Sequence, residues 1–182
     1  MNVVFLDRDG VINRYPGDFD YVKNADEFHL LPGSACAIKR LNDLGFKVFV
    51  VSNQAGVSKK IYTQSDLDAI DKKMHDELAC CDAKLDGIYY CTHLDEHACN
   101  CRKPKDGLLH KALDEHNITP EKVFFIGDSF MDMTAARSFG ACAILVLSGK
   151  ETQANKANWP FMPDFIFEDL KTAVEYICNN YV

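Results

Sequence analysis

Apolar residues recur along the chain in two alternating rhythms. Val3-Val4-Phe5-Leu6, Phe46 to Val51, Ile88 to Cys91, Val123 to Ile126, Ala141 to Leu147 and Phe165 to Phe167 are short, nearly unbroken apolar runs. Runs of this length, rich in β-branched and aromatic residues, predict strands buried on both faces of a parallel sheet. Between them the apolar positions open to helical spacing. Ala37, Ile38, Leu41 and Leu44 mark one helix, and Leu67, Ile70, Met74 and Leu78 mark a second behind the capping box Thr63-x-x-Asp66. Leu109, Ala112 and Leu113 mark a third, a fourth runs through Arg137, and Leu170, Ala173, Val174 and Ile177 mark a closing helix. Gly45 and Gly140 predict helix ends. The Met and Leu stripe of the second helix reads as core. Strands alternating with helices predict an α/β fold with a doubly wound, mainly parallel sheet and helices on both faces. The polar stretch from Arg14 to Phe28 reads as a loop, and Gly149 to Pro163 is the loosest segment.

Composition narrows the classes of function. A chain of 182 residues suits a single domain, 1–182, able to bury about 70% of its unfolded surface. A net charge of −7, from 20 basic and 27 acidic residues, argues against nucleic acid and against anionic membranes, and favours a small polar substrate. No apolar run reaches the roughly 18 residues of a spanning helix, and the start of the chain lacks the basic-then-apolar layout of a signal peptide. A cytoplasmic protein is the expectation. A monomer is also expected, because no long amphipathic helix lacks a core partner. In that compartment the eight cysteines predict a metal site or free thiols in place of disulfides.

Candidate chemistry lies where the apolar runs stop. One run ends in Asp7-Arg8-Asp9-Gly10, another in Ser52-Asn53-Gln54, and a third in Gly127-Asp128 with Asp132 beyond. Alone, Asp7-x-Asp9-Gly10 reads equally well as a solvated acidic turn. Ligands of open α/β sheets bind beyond the carboxyl ends of the strands, and three such ends carrying polar groups make one crevice the better reading. Carboxylates alone repel a phosphate: two unit charges about 4 Å apart cost roughly 4 kcal/mol at an effective dielectric near 20. A divalent cation is therefore implied, and Asp7 and Asp128 suit Mg2+. Cys91-x-His93 and Cys99-x-Cys101 supply four soft ligands within eleven residues, the complement of a closed tetrahedral Zn2+ site. His97 competes as a ligand but reads as a solvated loop residue. Cys36, Cys80, Cys81, Cys142 and Cys178 read as small buried hydrophobes.

In its order and spacing this set resembles the haloacid dehalogenase superfamily of phosphohydrolases, whose four motifs match Asp7-x-Asp9, Ser52, Lys103, and Gly127-Asp128 with Asp132. The resemblance spans nearly the whole chain. It implies that Asp7 is a nucleophile forming an aspartyl phosphate, and that Asp9 acts first as acid and then as base. It also implies that Ser52 and Lys103 hold the phosphoryl oxygens, and that Asp9 meets the Mg2+ held by Asp7 and Asp128 through its backbone carbonyl. The Asp9 side chain is then expected to lie free among carboxylates that favour its protonation. Asn53 supports the adjacent loop, and Asp132 reads equally as an orienting group or a helix N-terminal charge.

Within the superfamily, Asp7-Arg8-Asp9-Gly10, Ser52-Asn53-Gln54, Leu85 to Cys91 and Cys99-x-Cys101-Arg102-Lys103-Pro104 resemble the heptose 1,7-bisphosphate phosphatase group. Histidinol-phosphate phosphatases are its close relatives. Both imply a minimal cap, a structural Zn2+ in the Cys/His loop and a small phosphorylated metabolite as substrate. The heptose reading implies removal of the 7-phosphate in ADP-heptose synthesis for bacterial lipopolysaccharide, with Asp18, Tyr21, Asn53, Gln54 and Arg102 near substrate. The alternative is a histidinol phosphatase, which the short spacer between His93 and Cys99 resembles. Ser129 stands where a lysine often follows the metal-binding aspartate, so a hydroxyl takes that place. A receiver-like module phosphorylated on aspartate shares the acidic cluster, but Asp9 would hydrolyse its phosphoryl group. A zinc-binding interaction domain would leave the strand-end carboxylates without a role.

Overall fold

The computed structural model describes residues 1–151 and 159–181. Residues 152–158, within the segment expected to be loosest, lie outside the described residues. Six strands are all paired in parallel: β1 (Asn2–Leu6), β2 (Lys47–Asn53), β3 (Gly87–Cys91), β4 (Lys122–Gly127), β5 (Cys142–Val146) and β6 (Phe165–Phe167). Their spatial order is β3-β2-β1-β4-β5-β6. Among the described residues, four α-helices lie between strands, α1 (Ser34–Asp43), α2 (Gln64–Ala79), α3 (Gly107–Glu115) and α4 (Phe130–Phe139), and α5 (Leu170–Asn180) follows β6. The doubly wound parallel sheet expected from the apolar runs is what forms.

The pleat sends alternate residues to opposite faces, and both faces are covered. Val4 and Leu6 of β1 join Val48, Val50, Phe124 and Ile126 beneath α1, α2 and α5. Val3 and Phe5 join Phe49, Val51, Phe125 and Leu145 beneath α3 and α4. Phe5 lies among Phe49, Phe125 and Phe139 with ring centroids 5.7, 6.3 and 6.1 Å away. Two apolar layers of this kind explain why the strands read as continuous runs.

Strand order reverses on either side of β1, since the chain first builds outward through β2 and β3 and then returns to add β4 on the other flank. The gap between the carboxyl ends of β1 and β4 is thus the switch point where doubly wound sheets leave a crevice. β2 runs two residues further than its apolar run, because Ser52 and Asn53 stay in register with Tyr90 and Cys91 of β3. Thr63 caps α2 as its capping box predicts, and Ser129 and Asp169 cap α4 and α5, each in a reciprocal capping box. No helix among the described residues is long and apolar enough to cross a membrane.

The five cysteines outside the Cys/His cluster correct an expectation. Cys36, Cys80 and Cys81 are exposed, and Cys142 and Cys178 are only half-buried. Cys36 lies on the outer face of α1, and Cys80 and Cys81 follow the end of α2, where no layer covers them. None of the eight cysteines is in a disulfide.

Candidate active site

The crevice at the switch point is a cavity of about 190 Å³ walled by Asp7, Asp9, Ser52, Asn53, Lys103, Asp128, Ser129 and Asp132, with Tyr21 and Arg102 at its rim. Asp7 follows β1 directly, and its N–H still donates to the Ile126 carbonyl of β4 at 3.0 Å. The sheet itself therefore sets the position of this carboxylate. Asp128 leaves β4 alongside, and carboxylate oxygens of Asp7, Asp128 and Asp132 all lie within 4.8 Å of one another. Gly10, at φ +83°, makes the approach possible: a Cβ there would meet Asp128 Oδ2 at 2.2 Å. On the other side Gly149 allows the Lys150 N–H to donate to Asp128 Oδ2 at 2.7 Å.

Burial of so much negative charge moves its acidity. Burial, and then the neighbouring Asp132 and Asp9 working against Lys103, push Asp7 up to about 6. Asp128 is raised well above the usual carboxylate range by burial and by the charges of Asp7 and Asp132. Asp7 and Asp128 thus offer hard oxygen atoms of the kind that suits a divalent cation.

Lys103 is the cation the protein itself supplies. Its ammonium lies 3.0 Å from Asp7 Oδ1 and 2.5 Å from Asp132 Oδ1, and it donates to the Val51 carbonyl at 2.9 Å. Burial opposes the charge of Lys103, but Asp132 and Asp7 outweigh it and raise its pKa. Asp132 answers both sequence readings at once. Its Oδ2 accepts from the N–H and hydroxyl of Ser129 at 3.0 and 2.6 Å, capping α4, while Oδ1 faces Lys103. Asn53 clamps the backbone of Lys103, donating to its carbonyl and accepting from its N–H, both at 3.0 Å.

The environment of Asp9 differs from expectation. Its side chain does not lie free among carboxylates. Arg8, Asn13 and Gln54 all donate to it, with Asn13 Nδ2 at 2.9 Å from Oδ1 and Gln54 Nε2 at 2.9 Å from Oδ2. Burial pushes its pKa up, but the Arg8 charge and these donors outweigh burial and hold the carboxyl below its usual value.

The remaining expected residues divide. Tyr21 and Arg102 border the cavity, and Arg102 also pairs with Asp95. Ser129 borders it with a hydroxyl already engaged by Asp132. Gln54 is 1% exposed and lies behind Ser52, to whose hydroxyl it donates at 3.1 Å, so it supports the wall without forming it. Asp18 is exposed outside the wall and accepts from the Tyr15 hydroxyl at 2.7 Å. Tyr15, Phe19, Met131 and Lys150 line the cavity without having been singled out as contacts. Only their position near the strand-end motifs could have signalled them.

Beside the crevice, Cys91, His93, Cys99 and Cys101 converge. Cys101 Sγ lies 3.3 Å from the sulfurs of Cys91 and Cys99 and 3.2 Å from His93 Nδ1, and Cys91 Sγ lies 3.7 Å from Cys99 Sγ and from His93 Nδ1. A tetrahedron of sulfurs about 2.3 Å from a central ion has edges of about 3.8 Å, so the four atoms are grouped as ligands of one small ion. His97 stays exposed and accepts from the Leu94 N–H at 3.0 Å instead.

Comparison with known proteins agrees with this arrangement. A family model described as "HAD-hyrolase-like" matches residues 100–173. The chain is 34% identical over 179 residues to a D-glycero-beta-D-manno-heptose-1,7-bisphosphate 7-phosphatase of Neisseria meningitidis serogroup A, covering 97% of this chain and 95% of the relative. It is 37% identical over 170 residues to the protein of the same name from Pseudomonas putida, covering 93% and 95%. The crystal structure of D,D-heptose 1,7-bisphosphate phosphatase from B. bronchiseptica, complexed with magnesium and phosphate, superposes with a TM-score of 0.90 at 33% identity, covering 98% of this chain and 99% of that one.

Proposed function

This chain belongs to the haloacid dehalogenase-like D-glycero-D-manno-heptose-1,7-bisphosphate 7-phosphatases, and from that premise we propose that it hydrolyses the 7-phosphate of such a sugar bisphosphate with Asp7 as nucleophile. The observation that carries the reading is the pairing of Asp7 with the buried Lys103, 3.0 Å apart, at the carboxyl end of the central strand. An Asp7 oxygen forms a bond to phosphorus in line with the sugar oxygen, and the bond from phosphorus to that oxygen breaks. Asp9, held ionised in the free protein by its donors, takes up a proton once the phosphate is bound and gives it to the departing oxygen. A water then attacks the aspartyl phosphate while Asp9 takes its proton, the bond from Asp7 to phosphorus breaks, and inorganic phosphate leaves. Lys103 and Ser52 hold the non-bridging oxygens as charge shifts, the role that preorganised donors fill best.

The carboxylates fit a magnesium ion, since Asp7, Asp128 and Asp132 gather buried negative charge that Lys103 offsets only in part. Asp7, Asp128 and the Asp9 carbonyl would hold it. When bound, Mg2+ supplies the charge that lets the carboxylates face a phosphate. Cys91, His93, Cys99 and Cys101 fit a structural Zn2+, whose contribution is to fix the loop that carries Arg102 and Lys103. Tyr21 and Arg102 contact the substrate beyond the reacting phosphate, and Asp18 reaches it only if its loop moves. The same residues would serve histidinol phosphate, but the curated relatives favour the heptose.

The test is phosphate release with Mg2+ from heptose 1,7-bisphosphate and from histidinol phosphate at matched concentrations. Preference for the heptose is expected. Preference for histidinol phosphate would overturn the substrate and spare the chemistry, whereas turnover retained by Asp7→Asn would overturn the nucleophile.

A further inference from the structure

Behind the crevice lies a buried charged cluster that the reaction as described leaves unused. Arg8 stands between the two aspartates of the first motif, and its side chain is 0% exposed. Its guanidinium meets Asp9 as a fork: Nε and Nη2 each donate to Oδ1 at 3.2 Å, and Nη2 donates to Oδ2 at 3.0 Å. Nη2 also donates to Gln54 Oε1 at 3.1 Å, and the Tyr62 hydroxyl donates to that same oxygen at 2.6 Å. These two bonds orient the Gln54 amide so that its nitrogen faces Asp9. The Tyr90 ring covers the guanidinium, 5.5 Å from its central carbon, and the Tyr90 hydroxyl donates to Asp71 at 2.5 Å. Arg8 Nη1 has no hydrogen-bond partner among the described residues.

A fully buried guanidinium is costly to desolvate and is no economical route to stability, since a packed apolar side chain does as well or better. The planar fork is what an ammonium could not supply. We propose that Arg8 is the positioning residue for the acid/base chemistry of Asp9, holding both carboxylate oxygens in register with the oxygen that leaves and the water that attacks. This rests on the assignment of Asp9 as acid and base above. Arg8 is not among the residues that wall the cavity and acts through Asp9. Misplacing a reacting group by about 1 Å costs on the order of 100-fold in rate, which sets the scale of the effect.

The experiment is a kinetic double-mutant cycle of Arg8→Met and Asp9→Asn, with Arg8→Lys as a milder variant in case Arg8→Met does not fold. Each is assayed on a sugar phosphate and on aryl phosphates of graded leaving-group acidity, with rapid quenching to measure phosphoenzyme. Arg8→Met is expected to lower kcat on the sugar phosphate roughly 100-fold with little change in KM. The loss in kcat/KM, which reports phosphoryl transfer to Asp7, should shrink as the leaving group improves, and phosphoenzyme should accumulate on the best leaving groups because the attacking water has lost its base. Arg8→Lys should retain part of the rate. In the Asp9→Asn background, Arg8→Met should cost almost nothing further. A full additional loss there, or equal losses in kcat/KM on every leaving group, would overturn the role of Arg8 while leaving Asp9 as acid and base. A mild effect of Asp9→Asn itself would instead overturn the assignment beneath it.

Discussion

Two loops bring charge to the crevice, and different forces hold them. The loop after β1, Asp7 to Asn13, is tied by its own backbone: the N–H groups of Val11, Ile12 and Asn13 converge on the Arg8 carbonyl, and the Gly10 N–H donates to the Asn13 carbonyl at 2.8 Å. Val11 and Ile12 are fully buried beneath it. The loop after β3 is made differently. From Thr92 to Asp106 every side chain except that of Lys103 keeps some contact with water. That loop is gathered around the Cys/His quartet, with outside help from the Asn53 clamp. Asp7 therefore stands on a loop continuous with the core, whereas Lys103, which faces it, stands on one with almost no core of its own. The first loop draws its order from burial, and the second has a Cys/His quartet where a core would otherwise be.

The comparison is broken most severely at Asp7. Asp7→Asn should reduce phosphate release by at least about 10³-fold with the circular dichroism spectrum unchanged, since one oxygen and the charge are lost without altering shape. Next is Ile12→Ala, which should lower unfolding free energy by about 2–5 kcal/mol in urea titration, equally with and without zinc. An equal sensitivity of that variant to chelation would erase the distinction between the loops. Removing zinc, or replacing the hub ligand through Cys101→Ser, should lower kcat by roughly 10–100-fold. The melting temperature should move little, because so few of that loop's side chains join the core. Smallest is Asn53→Ala, which removes two hydrogen bonds to the Lys103 backbone and should slow turnover by roughly tenfold. That loss should grow when zinc is removed, and strict additivity of the two would mean that clamp and metal secure separate segments.

The fold was legible because the sheet is covered on both sides, which turns each strand into an apolar run. Its one clear extension, Ser52 and Asn53 in β2, was hidden by polarity: these residues pair with β3 while their side chains serve the crevice. Asp7, Asp128 and Lys103 were legible as charges placed directly after strands or beside the Cys/His loop. Arg8 was not, since a charged residue in a loop ordinarily reads as solvated. Its burial depends on Gln54, Tyr62 and Tyr90, which lie far away in sequence. Gln54 was misjudged for the related reason that neighbours in a motif need not face the same side of the wall. The exposure of Cys80 and Cys81 was equally hidden, because side-chain chemistry says nothing about where a helix runs out of neighbours.

The placement of Phe5 has a consequence in genetic terms. Both faces of β1 are apolar, so polarity does not forbid the strand from slipping by one residue. Shape does, because Phe5 fits among Phe49, Phe125 and Phe139, and a shift would bring Val4 or Leu6 into that nest. The same shift would put Leu6 or Arg8 where Asp7 stands. Exchanges of one apolar side chain for another along this strand should therefore be far better tolerated than the insertion or deletion of a single codon.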